Sequence, residues 1–137
     1  RFFRRFSNDA TLRSEAQHYL QQLGLEDRAD TRVSELSHGE RRQLEMAMAL
    51  ALKPKALLLD EPMAGIGPGG SLEMTKLLAR LKSQVPILLV EHDMAAVFAL
   101  ADRISVLVYG EIILTGTAEE IRSSPEVQKA YLGEGDA

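Results

Sequence analysis

Apolar side chains recur at helical spacing over residues 11–23, where Leu12, Ala16, Tyr19, Leu20 and Leu23 fall near one face. Gly24 follows, as a glycine does when it ends a helix in a left-handed turn. Residues 26–35 are polar and lead to a second helix, expected from Ser37 to about Leu52 and stopped by Pro54. Beyond Pro54 the pattern changes. Ala56-Leu-Leu-Leu59 and Pro86-Ile-Leu-Leu-Val90 are short continuous apolar runs, the pattern of strands buried on both faces of a parallel sheet. Between them lie a glycine-rich loop and a helix expected over 71–83. A helix over 94–101 follows the second run. Residues 104–109 and 111–114 read as two strands joined by a tight turn at Gly110, and one or two short helices around Pro125 close the chain. Strands alternating with helices imply an α/β layered domain, with the last strand pair as an antiparallel addition at one edge.

Composition narrows the partners. The 137 residues suffice for one domain, and a formal charge of -4 argues against a nucleic-acid binder, which is normally basic. The absence of cysteine excludes disulfides and Cys-built metal sites. Three scattered histidines make no His-built metal site, and His18 reads as a surface residue. No run approaches the roughly 18 apolar residues of a membrane span, since residues 44–59 are interrupted by Lys53, Pro54 and Lys55. A membrane role is therefore expected through a partner. The opening Arg1-Phe-Phe-Arg-Arg-Phe6 is short for a membrane-surface helix and reads as part of a helix or loop.

The chemistry gathers at strand ends, where open α/β sheets bind their ligands. The first apolar run delivers Asp60 and Glu61, the second Glu91, His92 and Asp93. Adjacent carboxylates point in different directions, which suits a division of labour. One, Asp60, can hold Mg²⁺ through its water shell, and the other, Glu61, can orient or deprotonate a water. His92 can donate to a terminal phosphate. The plain alternative is that acidic residues at a strand end cap the next helix, and Asp93 is expected to do so. Ser37 and Glu40 have the spacing of a capping box. The same helix start, with Ser37, His38 and Gly39, also presents N–H groups suited to a phosphate, and the two readings compete for the same donors. Glu40-Arg41-Arg42 reads as a solvated helix turn, with Arg41 or Arg42 as a second, less favoured phosphate contact.

Gly65-Ile-Gly67-Pro-Gly-Gly70 is formally a Gly-x-Gly-x-x-Gly, which would make this a dinucleotide-binding domain. Against that, Asp60 and Glu61 stand where a pyrophosphate would approach, and like charges at 4 Å cost about 4 kcal/mol at an effective ε of about 20. Pro68 removes an N–H from the cradle, and five residues separate the strand from the first glycine.

Taken together, these residues resemble the ABC ATPase family. Leu36-Ser37-His38-Gly39-Glu40 looks like its signature motif, Ala56-Leu-Leu-Leu-Asp60-Glu61-Pro62 like its Walker B strand, Met63-Ala-Gly65-Ile-Gly67 like its D-loop, and His92 like its switch histidine. Glu91-His92-Asp93-Met94 and the tail from Gly116 to Gly133 are similar to the branched-chain amino-acid importer ATPases. The ATPases of urea uptake and lipopolysaccharide export share parts of the pattern. Non-transport ABC ATPases usually carry coiled coils, tandem domains or basic patches, none of which is visible in the sequence.

The resemblance implies a P-loop NTPase-like fold, a mostly parallel sheet flanked by helices. Residues 1–52 would be part of the helical subdomain and 53–137 part of the RecA-like ATPase core. It implies ATP and Mg²⁺ as cofactors, with Asp60 on the metal, Glu61 activating water and His92 sensing the γ-phosphate. Ser37, His38, Gly39 and Glu40 would meet ATP held by a second ATPase subunit, with Gly65 and Gly67 at the D-loop between the two sites. Other implied partners are transmembrane permease subunits and, indirectly, a periplasmic or extracellular substrate-binding protein, with the ATPase peripheral on the cytoplasmic face of the cell membrane. No Gly-x-x-x-x-Gly-Lys-Ser/Thr occurs in the sequence. The family's phosphate loop would lie N-terminal to residue 1, so these residues alone are expected to bind ATP poorly and hydrolyse none. His38 replaces the signature's usual first glycine, and Gly67 the usual D-loop aspartate.

Overall fold

The structure, a computed structural model, describes residues 9–132. The chain forms two compact units, the first ending at Glu91 and the second beginning at His92. The opening basic-aromatic stub and the last residues of the tail, Gly133 included, lie outside the described residues.

The first unit opens with α1 (Ala10–Gln22), capped by Asp9, whose side chain accepts from the N–H groups of Thr11 and Leu12 at 3.2 and 3.3 Å. The helix ends in a Schellman motif. Gly24 takes the left-handed conformation at φ 71, Leu25 N–H donates to Leu20 C=O at 2.8 Å, and Gly24 N–H donates to Gln21 C=O at 3.1 Å. Leu23 and Leu25 are thereby turned inward and fully buried. Two single 3₁₀ turns, Glu26–Arg28 and Val33–Glu35, lead to α2 (His38–Ala51), which packs against α1 and buries Met46, Ala47 and Leu50.

Strand β1 (Leu57–Asp60) pairs in parallel with β2 (Ile87–Val90), joined through α3 (Gly67–Leu81). Helix α3 begins four residues earlier than its apolar pattern suggests. Pro68, pre-set in φ and lacking an N–H, is favoured in a first turn, so the glycine-rich segment from Gly67 is the start of the helix. Its buried stripe is Met74, Leu77, Leu78 and Leu81.

The expectation that both strands are buried on two faces fails. Leu57 is buried, and Leu59, Ile87 and Leu89 are half-buried, but the alternate positions Leu58, Leu88 and Val90 are 75%, 63% and 56% exposed. A sheet needs a layer on each face to bury continuous apolar runs, and the described residues cover only one.

The second unit holds α4 (Met94–Leu100), capped by Asp93 through Ala95 and Ala96 N–H at 3.0 and 3.2 Å. Strands β3 (Ile104–Val108) and β4 (Glu111–Gly116) form an antiparallel hairpin that is a sheet of its own, with an irregularity in register after Val106. Tyr109 and Gly110, both at positive φ, make its two-residue turn. Helices α5 (Ala118–Ser123) and α6 (Pro125–Leu132) complete the unit. Ile104, Val106, Ile121 and Val127 form its core, with Phe98 packed beside them and the Arg122 guanidinium 4.1 Å over the Phe98 ring.

Candidate functional site

Two structured places in the first unit carry most of the residues singled out by sequence. One is the common end of β1 and β2. The register pairs Asp60 with Val90, so the carboxylates that close one strand stand beside the exit of the other. The pairing continues past the strand, since Glu61 N–H donates to Val90 C=O at 2.8 Å. Glu61 then enters the left-handed region at φ 43. A non-glycine residue holds that conformation at a cost of order 1–3 kcal/mol, and only where its surroundings enforce it. The next residues supply the enforcement. Pro62 and Met63 are buried, Ala64 N–H donates to Glu61 C=O at 3.0 Å, and Met63 N–H donates to Glu91 Oε1 at 3.0 Å. The Asp60 and Glu61 side chains lie in exposed residues, as an approaching nucleotide and water would require.

Asp60 also lines an open cleft of about 190 Å³ with Leu58, Pro62 and the α2 residues Arg42, Glu45 and Ala49. It therefore lies beside the body of α2. Among the described residues no group of three or more His, Asp or Glu side chains is placed to hold a metal ion by itself. Accessible carboxylates with no full protein cage around them suit Mg²⁺, which keeps several waters and shares phosphate oxygens, better than an ion needing such a cage. His92 follows two residues after Val90, is exposed, and is the first residue of the second unit.

The other place is the start of α2. The capping box forms: Glu40 N–H donates to Ser37 Oγ at 3.2 Å, and Ser37 N–H donates to Glu40 Oε2 at 2.8 Å. Glu40 Oε1 also receives Arg28 Nε at 2.7 Å. These contacts hold the Glu40 carboxyl below the usual range, the Ser37 backbone N–H contributing most, then the Ser37 hydroxyl, then Arg28. Of the two competing readings of this helix end, the capping contacts are the ones observed. The box consumes the Glu40 N–H, while His38 and Gly39 sit at first-turn positions whose N–H groups have no intrahelical acceptor. His38 is not among the positive-φ residues, so replacing glycine there incurs no backbone strain.

Sequence reasoning missed what organises this helix start. Arg41 is not simply solvated, because its Nε donates to Leu36 C=O and its Nη2 to Ser34 C=O, both at 3.1 Å, tying the preceding loop to the helix. Arg42 pairs with Glu45 at 3.1 Å, the i,i+3 partner visible in the sequence. The Arg28 contact spans twelve residues and has no sequence signal. Gly65 and Gly67, at φ 76 and 67, shape the approach to α3, and the conformation at 67 favours glycine over the aspartate expected there.

Comparison with known proteins bears on the family and the fold. A family described as ABC transporter matches residues 2–64, and one described as branched-chain amino acid ATP-binding cassette transporter matches residues 111–137. The chain is 42% identical, over 96% of its length and 52% of the relative's, to the high-affinity branched-chain amino acid transport ATP-binding protein LivG of Salmonella typhimurium. It is 37% identical, over 84% of its length and 48% of the relative's, to the lipopolysaccharide export system ATP-binding protein LptB of Acidithiobacillus ferridurans. In fold it resembles the ADP conformation of MJ1267, an ATP-binding cassette of an ABC transporter, with a TM-score of 0.81 and 29% identity over 97% of this chain and 55% of that one. The chain thus spans about half the length of the curated relatives it matches.

Proposed function

We propose that this chain, which belongs to the ABC transporter ATP-binding proteins, supplies the Walker B, switch and signature elements of a transport ATPase that powers branched-chain amino-acid import. The observation that carries the reading is the parallel register of β1 and β2. It sets Asp60 and Glu61 at a shared strand end with the chain that leads into His92. Asp60 would hold Mg²⁺ through water, and the bound ion would neutralise charge on the phosphates. Glu61, outside the sheet and exposed, orients and deprotonates the attacking water. His92 donates to the γ-phosphate.

The start of α2 does not converge on Asp60, which lies beside the body of that helix. By the family resemblance, Ser37, His38, Gly39 and Glu40 are assigned to ATP bound by a second ATPase subunit. Gly65 and Gly67 lie between the two sites. In this reading residues 1–52 belong to the helical subdomain and 53–137 to the ATPase core. The exposed sheet face of Leu58, Leu88 and Val90 is where the remainder of a cassette twice this length packs. Transmembrane permease subunits are the mechanical partners at the cytoplasmic face of the membrane, with a substrate-binding protein delivering cargo.

The test is a chimera in which this chain replaces the matching half of LivG. It is expected to restore Mg²⁺-dependent ATP hydrolysis and leucine uptake with the branched-chain permease, while the 137 residues alone hydrolyse no ATP. A folded chimera that hydrolyses ATP yet works only when built into LptB would transfer the assignment to lipopolysaccharide export. A folded chimera inactive in both would remove the assignment.

A further inference from the structure

The turn 61–64 has three main-chain donors, because Pro62 has none. Glu61 N–H goes to Val90 C=O at 2.8 Å, Ala64 N–H goes back to Glu61 C=O at 3.0 Å, and Met63 N–H goes to the Glu91 carboxylate at 3.0 Å. The first two partners are backbone and would survive any substitution. The third is a side chain 28 residues away, and it meets an N–H on a residue that is 5% exposed. A donor on a buried residue left without its acceptor is costly, so removing that oxygen loosens the turn. Glu61 sits at the head of this turn at φ 43, a conformation that persists only when over-determined.

We infer that Glu91 is a positioning residue: its carboxylate fixes Met63 N–H and thereby aims Glu61 at the water it activates. This rests on the function proposed above for Glu61. The role needs an oxygen acceptor at the right reach and no negative charge, which separates it from a metal ligand or base. The amide oxygen of glutamine accepts the same bond. Glu91→Gln therefore preserves the geometry, Glu91→Ala removes the acceptor, and Glu91→Met removes it at nearly constant volume should the alanine variant fail to fold.

Amide hydrogen exchange on the 137-residue chain reads the geometry directly. Exchange at Met63 should quicken about ten-fold or more in Glu91→Ala or Glu91→Met and stay near wild type in Glu91→Gln. In the LivG chimera the same acceptor-free variants should lower kcat roughly 10²-fold with the KM for ATP unchanged, and Glu91→Gln should restore it. Unchanged Met63 exchange in both acceptor-free variants would overturn the inference. So would a Glu91→Gln protein that keeps its Met63 protection but loses kcat, since the charge would then be what matters. An inactive wild-type chimera would count against the proposed function alone, and Met63 exchange would still decide the role of Glu91.

Discussion

Each unit of this molecule is built around a sheet of two strands, and the two sheets differ in how their strands are joined and in what stands at their ends. The hairpin β3–β4 has its own cover: Ile104 and Val106 join Ile121 and Val127 of the closing helices in a core that excludes water. The parallel pair β1–β2 buries one face and leaves Leu58, Leu88 and Val90 largely bare, with Asp60 and Glu61 at its end. Local turn chemistry can complete a hairpin, and short helices can cover one of its faces. A parallel pair depends on crossovers and on layers from elsewhere in the protein. Both sheets leave apolar side chains exposed, Leu107 and Ile112 on the hairpin at 63% and 62%, and what sets the first unit apart is the pair of carboxylates at its strand end.

The difference sets the expected effects. The largest is catalytic. Glu61→Gln in the chimera should lower kcat by about 10²–10⁴-fold, whereas Thr115→Val on the hairpin should leave ATP hydrolysis near wild type, as steady-state kinetics would show. In the chain alone, Ile121→Ala should cost about 2–5 kcal/mol by creating a cavity in the sealed core. Leu88→Ala, an exposed apolar truncation, should stay within about 0.5 kcal/mol. Denaturant melts of both would break the comparison if Leu88→Ala proved the costlier.

Next come the caps. Ser37→Ala should cost about 0.5–2 kcal/mol of helix stability by opening the box at α2. The same loss is expected of Thr117→Ala at α5, whose box is built alike, with Thr117 N–H donating to Glu120 Oε2 at 2.7 Å. Only the Ser37 variant should also raise the KM for ATP in the chimera.

The smallest effect is on pH dependence. Glu40 and Glu120 are both held below the usual carboxylate range, each chiefly by the backbone N–H of its cap residue. A lowered folded pKa means the unfolded chain binds more protons in that interval, so the stabilisation is complete above the unfolded value and fades as pH falls through the folded one. Urea melts into the acid range should show a shallower loss in Glu40→Gln and Glu120→Gln than in wild type.

The features legible in the sequence were those with partners close along the chain. Ser37 with Glu40, Asp93 ahead of α4 and Gly24 behind α1 each act within a few residues, so composition and spacing announce them. The positions of Asp60, Glu61 and His92 after apolar runs were equally plain, and with the signature they led to the right family. The start of α3 was misplaced because four residues of Gly and Pro look like a loop until Pro68 is recognised as a first-turn residue. The bare face of β1–β2 was unreadable, since a continuous apolar run states what a strand needs and says nothing of what is present to meet it.

The sequence by itself settled the caps at Ser37 and Asp93, the order of the main helices and strands, and which residue types end each strand, because those depend on side chains and backbone groups within about one helical turn of each other. Only the tertiary structure decided that β1 and β2 pair in the register that puts Asp60 opposite Val90, that Glu91 reaches back to Met63, and that Arg28 closes on Glu40. Those are contacts between segments far apart in the chain, and their geometry is fixed by how whole elements pack rather than by any local preference.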